Sequence, residues 1–506
     1  MRRIHIISLF VLLAIIAGVW LLTSRRWINE RAGVSGLVRD GSGPVAGALV
    51  RCQGTNTHVM TDHSGRFRLP KQSDDAVRIT AAKDGYVIAG APVDAQRVHL
   101  ELRRLPTADC EDYSWVNPGP DSVRKQNCGN CHREIYEEWS ASSHARSMQN
   151  RRFLNVYDGS DWQGRSNRGW SLLAEHPDGA GVCNACHAPT AGFETDLRHT
   201  TGVTSHGIHC DFCHKVADAP TDKLGITHGR FGLKLLRPEK GQLFFGPLDD
   251  VDRNEDSYAA VYKESRYCAS CHEGTVFGVH VYSTYSEWLD SPARRQGNQC
   301  QTCHMRPTGT FTNVAPGKGG IERDPQTLAS HQFPGGQEEM LRRALAVETN
   351  LVREPANVRA HVRIRATSVG HRVPTGFVDR NLVLVVDAFD AAGRDVLSER
   401  GPVLPTLAGD CAGLTGRLYA KQLHDFDGKN PAPFWRANPE FVDSRLFPER
   451  PDESEFVFPP ETERVRVRLL YRRFWPEVAR IKGWPKDEIT VVDRLVTPPQ
   501  TSAGAR

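Results

Sequence analysis

The pattern of hydrophobic and polar positions begins with one long apolar segment near the amino terminus. It runs from Ile6 to Leu22, is broken by only two less apolar residues, and has arginines on both sides. Together with the two residues before it, the segment would span roughly 28 Å as a helix, close to the ~30 Å hydrocarbon layer of a bilayer. A secretory signal peptide would have a shorter apolar core and small residues before its cleavage site. The segment therefore predicts an uncleaved membrane anchor and linker over residues 1–31.

Two later stretches alternate between apolar and polar residues with the period of two that is typical of strands with one buried face. Residues 32–106 contain short alternating runs with Gly-rich turns about every ten residues, which predicts a small β-sandwich. Residues 346–498 return to this alternation in "HVRIRA" and "RVRVRLLYR", which predicts a second, C-terminal β-sandwich. The last residues, 499–506, are predicted to form a disordered tail.

Residues 107–345 separate the two predicted sandwiches and have a loop-rich composition. They hold five copies of the motif C-x-x-C-H, which use ten of the chain's 13 cysteines. The paired cysteines are Cys128 and Cys131, Cys183 and Cys186, Cys210 and Cys213, Cys268 and Cys271, and Cys300 and Cys303. The histidines that complete the motifs are His132, His187, His214, His272 and His304.

This motif is typical of covalent haem attachment. Its two thiols form thioethers with the two vinyl groups of haem, and the imidazole that follows ligates the iron. Zinc knuckles and thioredoxin-like redox pairs also use C-x-x-C, but they leave the fifth position free. Five copies therefore predict five covalently attached haem c groups, with the motif histidines as proximal iron ligands. The porphyrins would then supply much of the buried apolar surface, so we expect a loop-rich, mainly α-helical pentahaem domain.

The motifs also predict where the protein resides. Arginines flank both ends of the anchor, so the excess of positive charge expected on the cytoplasmic side does not orient it. Covalent haem attachment takes place on the far side of the bacterial inner membrane. We therefore expect an inner-membrane protein with a single N-terminal anchor and the bulk of the chain in the periplasm.

The composition excludes several classes of protein. Hydrophobic residues make up 39% and charged residues 25% of the chain, which excludes wholesale disorder and a polytopic membrane protein. The 64 Lys and Arg residues against 60 Asp and Glu residues give a net charge of only +4, far from the basic surface that phosphate backbones require. We therefore expect redox proteins and the membrane as partners, and no nucleic acid.

The second axial ligand of each iron separates electron transfer from catalysis. An electron-transfer haem usually has two protein ligands, whereas a catalytic haem keeps one position open. His144 lies twelve residues after His132, about 18 Å along a helix, so it could ligate only an iron held by another motif. His206 and His228 are further candidates for distal positions.

Five segments between Cys128 and Gly376 contain aromatic residues, histidines or both: "EIYEEWSASSHA", "CDFCHK", "STYSEWLDSP", "SHQFPGG" and "GHRVPTG". Together they resemble the multihaem cytochromes related to cytochrome c-554 and hydroxylamine oxidoreductase. The resemblance implies bis-histidine irons in close-packed pairs, with His144, His331 and His371 as distal ligands, His371 coming from the C-terminal β-domain. Two features depart from these relatives, because the chain has no C-x-x-C-K motif and has five haem motifs where four or eight are typical.

The segments "TDHSGRFRLP" and "AAKDGY" lie within residues 32–106 and resemble the carboxypeptidase regulatory-like, transthyretin-like domain. That resemblance implies a spacer or docking module without catalysis.

Cys52, Cys110 and Cys411 lie outside the haem motifs. An oxidising compartment permits one disulfide among these three, and the sequence does not determine which pair forms it.

These patterns predict a membrane-anchored, periplasmic pentahaem c-type cytochrome that transfers electrons in a respiratory chain, between the quinol side of the membrane and a soluble partner or reductase. The alternative is a multihaem oxidoreductase that acts on a small nitrogen or sulfur compound at an open-site haem. A third hypothesis makes the β-domains the functional element, which would dock the chain onto a larger complex.

Overall fold

The computed structural model describes residues 33–70, 78–93, 97–192 and 195–500. The predicted anchor and linker over residues 1–31 lie outside the described residues, as does most of the predicted tail. Among the residues that are described, no helix is both long enough and apolar enough to span a bilayer. The chain forms two compact units, the first from residues 1–113, 236–262 and 321–323 and the second from the remainder.

Strands dominate the amino-terminal part of the first unit. They are β1 (Val34–Asp40), β2 (Gly43–Pro44), β3 (Leu49–Cys52), β4 (His58–Met60), β5 (Arg66–Leu69), β6 (Arg78–Ala82), β7 (Tyr86–Val87), β8 (Ala89–Pro92), β9 (Arg97–Glu101) and β10 (Arg103–Arg104). One four-stranded sheet has the order β2–β1–β5 with β9 parallel to β1, and the other has the order β4–β3–β6–β8. Val38, Val50, Ile79 and Leu100 come from both sheets and share one buried core, because alternate side chains of each strand point inward.

The middle of the chain contains short elements. Its small strands are β11 (Val216–Asp218), β12 (Lys234–Leu235), β13 (Phe244–Gly246), β14 (Asp256–Tyr258), β15 (Glu273–Val276) and β16 (Val279–Ser283). Its α-helices are Arg133–Ser140, Arg151–Asp158, Leu172–Glu175, Asn184–His187, Cys210–Cys213, Arg266–His272, Thr284–Leu289, Pro292–Arg295, Cys300–His304 and Glu338–Ala344. The described helices here reach eight residues at most. This region is therefore loop-rich, as expected, with more small sheets than a mainly α-helical domain would have.

Part of the predicted haem region packs in the first unit instead of with the haem motifs. Asp250, in the segment 236–262, pairs with Arg323 at 2.8 Å in a nearly buried ion pair, and Asp249 pairs with Arg51 on β3 at 2.8 Å. The backbone of Ile88 also donates to the carbonyl of Asp256 on β14. Because these contacts join residues far apart in sequence, no local pattern reveals them.

The C-terminal part of the chain forms two sheets that face each other. Its strands are β17 (Leu345–Arg353), β18 (Val358–Ala366), β19 (Asn381–Phe389), β20 (Asp395–Val396), β21 (Gly416–Asp425), β22 (Ala437–Asp443), β23 (Asp452–Phe458), β24 (Arg464–Arg472) and β25 (Glu488–Val496). The helix Pro476–Ile481 follows β24. The sheet orders are β17–β18–β23 and β22–β21–β19–β24–β25, with β20 at one end of β19. The alternation in "HVRIRA" appears on β18 as alternating buried and exposed residues, as the sequence predicts.

Strand β19 is buried on both faces, which explains why its sequence "NLVLVVDAF" shows no alternation. Leu382 and Leu384 point into the core between the two sheets. Val383 and Val385 point the other way and pack in a second cluster with Met148 from the haem-motif region. The β-domain and the haem motifs are therefore parts of one packed unit.

Lys482 reinforces this packing from the end of the helix Pro476–Ile481. Its side chain is fully buried, and Nζ donates to the carbonyls of Asn155 and Trp170 at 2.7 Å and of Ser160 at 3.1 Å. Burial lowers the pKa of Lys482 to about 8, so the ammonium persists at neutral pH. One cation thus satisfies three backbone acceptors in the loops around the second cluster.

Replacing Lys482 with methionine should destabilise the second unit. The three carbonyls would lose their donor, and we expect the free energy of unfolding to fall by about 3 kcal/mol. Thermal or denaturant unfolding followed by far-UV circular dichroism would measure the change. The matched control is Lys429→Met at an exposed turn, which should leave stability nearly unchanged. Equal stability of the two variants would contradict this role for Lys482.

Candidate haem-binding site

Each C-x-x-C-H motif lies on or beside a short helical turn. Such a turn places cysteines three residues apart on one face and leaves the histidine at its end. In the helix Cys210–Cys213, the Nδ1 atom of His209 accepts a hydrogen bond from the backbone of Phe212 and so caps the helix. The Nε2 atom of His209 lies 3.3 Å from Thr190 Oγ1. Both ring nitrogens of His209 are therefore engaged, which fits a structural role.

The structure brings cysteines of different motifs into contact. The thiol of Cys210 donates a hydrogen bond to Cys128, and this contact lowers the pKa of Cys128. Cys268 donates in the same way to Cys300, and the contact lowers the pKa of Cys300 to about 7. In the haem-bound protein these sulfurs would be thioethers without a proton. The contacts therefore show which cysteines lie close together. They do not describe proton transfer between thiols in the haem-bound protein.

The motif Cys268–His272 has the most such neighbours. Besides Cys268 with Cys300, its second cysteine, Cys271, donates to Cys186 and lies near Cys213. This motif thus adjoins three of the other four, although it is the fourth along the chain. All thirteen cysteines are free of disulfides, Cys52, Cys110 and Cys411 included.

Four of the predicted ligand histidines have their Nδ1 atom fixed by a backbone carbonyl. Among the motif histidines, His132 donates to Val314 at 2.8 Å and His304 to Pro334 at 2.6 Å. The other two bonds, both to near neighbours in sequence, are His331 to Ala329 at 3.1 Å and His371 to Arg372 at 2.9 Å. An anchored Nδ1–H leaves the lone pair on Nε2 and orients the ring, which is how metal-bound histidines are usually held.

Two pairs of imidazoles face each other. The ring centres of His144 and His272 lie 6.4 Å apart, and those of His304 and His371 lie 6.2 Å apart. Two imidazoles that ligate one metal from opposite sides have centres about 6 Å apart, because each metal–nitrogen bond is roughly 2 Å long and each nitrogen lies about 1 Å from its ring centre. The spacing of both pairs therefore fits one iron between two imidazoles.

Burial makes several of the predicted ligand imidazoles neutral at neutral pH, the form in which they can bind a metal. It lowers the pKa of His144, His187 and His331 to about 4. Burial and the neighbouring His144 lower the pKa of His272 to about 3. The His272 side chain nevertheless keeps exposed surface, so it lies deep among protein atoms with one face open. A porphyrin ligand requires that combination.

The remaining candidate distal ligands lie in different surroundings. His214 and His132 both lie close enough to His331 to lower its pKa, so His331 lies near the third and the first motif. His206 packs near Trp139, with ring centres 6.3 Å apart. The Nε2 atom of His228 lies 3.1 Å from the carbonyl of Thr275, so a backbone contact already engages this nitrogen.

The second motif differs from the others. The ring of His187 stacks on Phe153 at 3.8 Å with the planes nearly parallel, and its buried Nδ1 atom has no hydrogen-bond partner. Tyr282 lies near Cys183 and Cys186, where burial and then the two thiols raise its pKa. The ring contact of His187 is therefore with a phenyl group, whereas two other motif histidines face a second imidazole.

Sequence analysis missed a buried ion pair beside His371. Glu287, in the quoted segment "STYSEWLDSP", pairs with Arg445 at 2.7 Å, and both side chains are 5% exposed. Glu287 also accepts hydrogen bonds from Ser283 at 2.6 Å and Thr375 at 2.7 Å. A glutamate between a tyrosine and a tryptophan shows no local sign of burial, and its partner lies far away in sequence.

Comparisons with known proteins bear on the family and on the fold. Residues 127–215 match the family model for cytochrome c554 and c-prime. The structure resembles a penta-heme cytochrome c552 from Thermochromatium tepidum, with a TM-score of 0.56 and 21% sequence identity over 73% of this chain and 97% of that one. The two proteins therefore share a fold. No curated protein matches the sequence. Together, the motifs, the family match and the shared fold support a multihaem c-type cytochrome with covalently bound haem and a redox role.

Proposed function

We propose that the chain is a pentahaem electron-transfer cytochrome of a respiratory chain. One observation carries this proposal: sulfur atoms of all five attachment motifs lie next to those of another motif. Contacts or close approaches join Cys128 to Cys210, Cys213 to Cys271, Cys271 to Cys186 and Cys268 to Cys300. Bound haem iron would accept and release one electron at a time. The chain's own role would be to hold five such groups close to one another.

The histidines complete this arrangement in the proposal. His144 would ligate the iron held by His272, and His371 would ligate the iron held by His304. His331 would serve the motif of His214. Two histidine ligands leave no position for a substrate and keep the geometry similar in both oxidation states, which suits electron transfer. His206 and His228 remain candidates for the other two motifs.

The location and partners follow from the sequence. The apolar segment Ile6–Leu22 would anchor the protein in the inner membrane and leave the haem motifs in the periplasm. Redox proteins on the two sides of the haem chain would be its partners, with the N-terminal β-sandwich as a spacer or docking module. Fractionation of membranes and periplasm, with and without residues 1–31, would test the anchor.

Replacing His144 with alanine tests the proposed ligation. Because the iron held by His272 would lose its sixth ligand, we expect one more haem per chain to become high-spin and to bind carbon monoxide when reduced. Optical titration with carbon monoxide and electron paramagnetic resonance would measure the change. His199→Ala, at an exposed position beside Asp196, is the matched control. Identical titrations for the two variants would refute the assignment of His144.

A second candidate function rests on the motif of His187, whose described ring contact is with Phe153 and not with a second imidazole. A motif without a second imidazole suits an open-site haem at which a small nitrogen or sulfur compound could react. Spectra of the unmodified protein, with and without carbon monoxide, distinguish the two functions. Low-spin spectra without carbon monoxide binding would favour the electron-transfer proposal, whereas one carbon-monoxide-binding haem that Phe153→Ala perturbs would favour the oxidoreductase.

A further inference from the structure

We infer that Glu287 is a positioning residue that holds the loop of His371 so that its imidazole faces His304. The inference rests on the proposed function, because it takes these two histidines as ligands of one iron. His371 lies in the connection between β18 and β19, which forms no helix or strand and is joined to neighbouring backbone by the isolated bridge of Val373 with Leu446. A single bridge leaves the direction of the imidazole to side-chain contacts.

The Glu287 carboxylate supplies such contacts on one side of the loop. Its Oε2 atom accepts hydrogen bonds from Thr375 Oγ1 at 2.7 Å and from the backbone N–H of Arg372 at 3.2 Å. Arg372 directly follows His371, and its carbonyl accepts the Nδ1–H of His371 at 2.9 Å. The peptide units on both sides of Arg372 are thus engaged, one by Glu287 and the other by the ligand itself.

Arg445 holds the loop from the other direction. Its guanidinium pairs with Oε1 of Glu287 at 2.7 Å and donates to the carbonyl of Pro374 at 3.3 Å. Asp443 fixes this guanidinium with two hydrogen bonds, at 2.9 and 2.7 Å. The buried ion pair therefore holds the loop at three points, through backbone and side-chain atoms within four residues of His371.

Glu287 also ties the loop to the segment that leads to His304. Glu287 belongs to the helix Thr284–Leu289, and its neighbour Trp288 donates to the carbonyl of Asn298 at 2.9 Å, just before the helix Cys300–His304. Gly370, directly before His371, packs on this segment, since a Cβ atom there would lie 3.3 Å from the Trp288 ring. One short segment thus sets the positions of both imidazoles.

These contacts require a carboxylate. Its two oxygens accept from Ser283 and Arg445 on one side and from Arg372 and Thr375 on the other. An amide has one acceptor oxygen, so Glu287→Gln would leave one of the two sides without an acceptor. It would also leave the buried Arg445 without this counter-charge, which is costly in a nearly dry site.

Electron paramagnetic resonance of the oxidised haem-loaded protein tests the inference. His371→Ala should convert one low-spin haem to high-spin. Glu287→Gln should raise the population of the same high-spin haem at least about tenfold over the unmodified protein, because the imidazole would spend more time off the iron. Added imidazole should restore the low-spin signal in both variants. The matched control is Glu488→Gln, which breaks another nearly buried ion pair, with Arg472. The described contacts of that pair include neither Glu287 nor residues 370–375, so the spectrum should stay unchanged.

The outcomes separate the two claims. An unchanged spectrum for His371→Ala would overturn the proposed ligation, and with it the inference. A changed spectrum for His371→Ala with an unchanged one for Glu287→Gln would overturn the positioning role alone. If Glu287→Gln yields no folded protein, the variants Thr375→Val and Thr375→Ser test the positioning role instead. Valine should raise the high-spin population and serine should not, and equal spectra would overturn the inference.

Discussion

Replacing Cys268 and Cys271 together with serine is expected to remove one haem and to interrupt electron transfer among the remaining ones. A motif without thiols cannot form thioethers, so the haem content measured by the pyridine haemochrome assay should fall by one per chain. The larger effect should appear in reduction kinetics. Cys271 is the sulfur neighbour of Cys186 and Cys213, and Cys268 is that of Cys300.

The control removes a haem from the end of the path. Cys128 and Cys131 adjoin the rest of the chain of motifs through Cys210 alone in the described contacts. Their replacement by serine should cost the same one haem but leave the others linked and reduced in a single phase. For the variant at Cys268 and Cys271, stopped-flow reduction should instead resolve several phases. A single phase in both variants would show that the fourth motif is not the junction.

Asp379→Asn is expected to stabilise the protein, and increasingly so as the pH rises. Asp379 is 2% exposed, its Oδ2 atom has no hydrogen-bond partner, and the Trp475 side chain donates to the carboxyl group. Burial raises the pKa of this carboxyl group from the ordinary 3.8 to about 8. Folding therefore favours the protonated form, and asparagine has a similar shape without the charge.

The pH range follows from these two pKa values. Between pH 3.8 and about 8 the folded state holds a proton that the unfolded state has lost, so stability falls as the pH rises through this window. The loss is about 1.4 kcal/mol per pH unit, on the order of 6 kcal/mol in all. Asparagine does not titrate, so the difference in unfolding free energy between variant and parent should grow by that amount and level off above pH 8.

Guanidinium unfolding at several pH values, followed by circular dichroism, would measure this growth. The matched control is Asp427→Asn, which removes a carboxylate at an exposed turn of the same domain and should not reproduce this growth. A pH-independent difference for Asp379→Asn would mean that this carboxylate is stabilised in the folded protein, for example by a cation.

The sequence by itself determined the chemistry of attachment and the type of each strand-rich region. The motif C-x-x-C-H needs only five adjacent residues, so the haem chemistry is visible without a fold. The alternation on β18 and on the first half of β24 is likewise local, because these segments fully bury one side chain in two. The predicted anchor stays a prediction, since residues 1–31 lie outside the described part of the structure.

Only the tertiary structure decided which residues meet. The separation in sequence showed that His144 could not reach the iron of His132. It did not show that His144 would lie opposite His272. The sequence also did not predict that Cys268 and Cys271 lie next to three other motifs, or that Glu287 contacts the loop of His371. Each of these arises from segments that are distant in sequence and are joined by burial and hydrogen bonds. Local periodicity records which side of a segment is buried, whereas the identity of the partner depends on how all segments pack together.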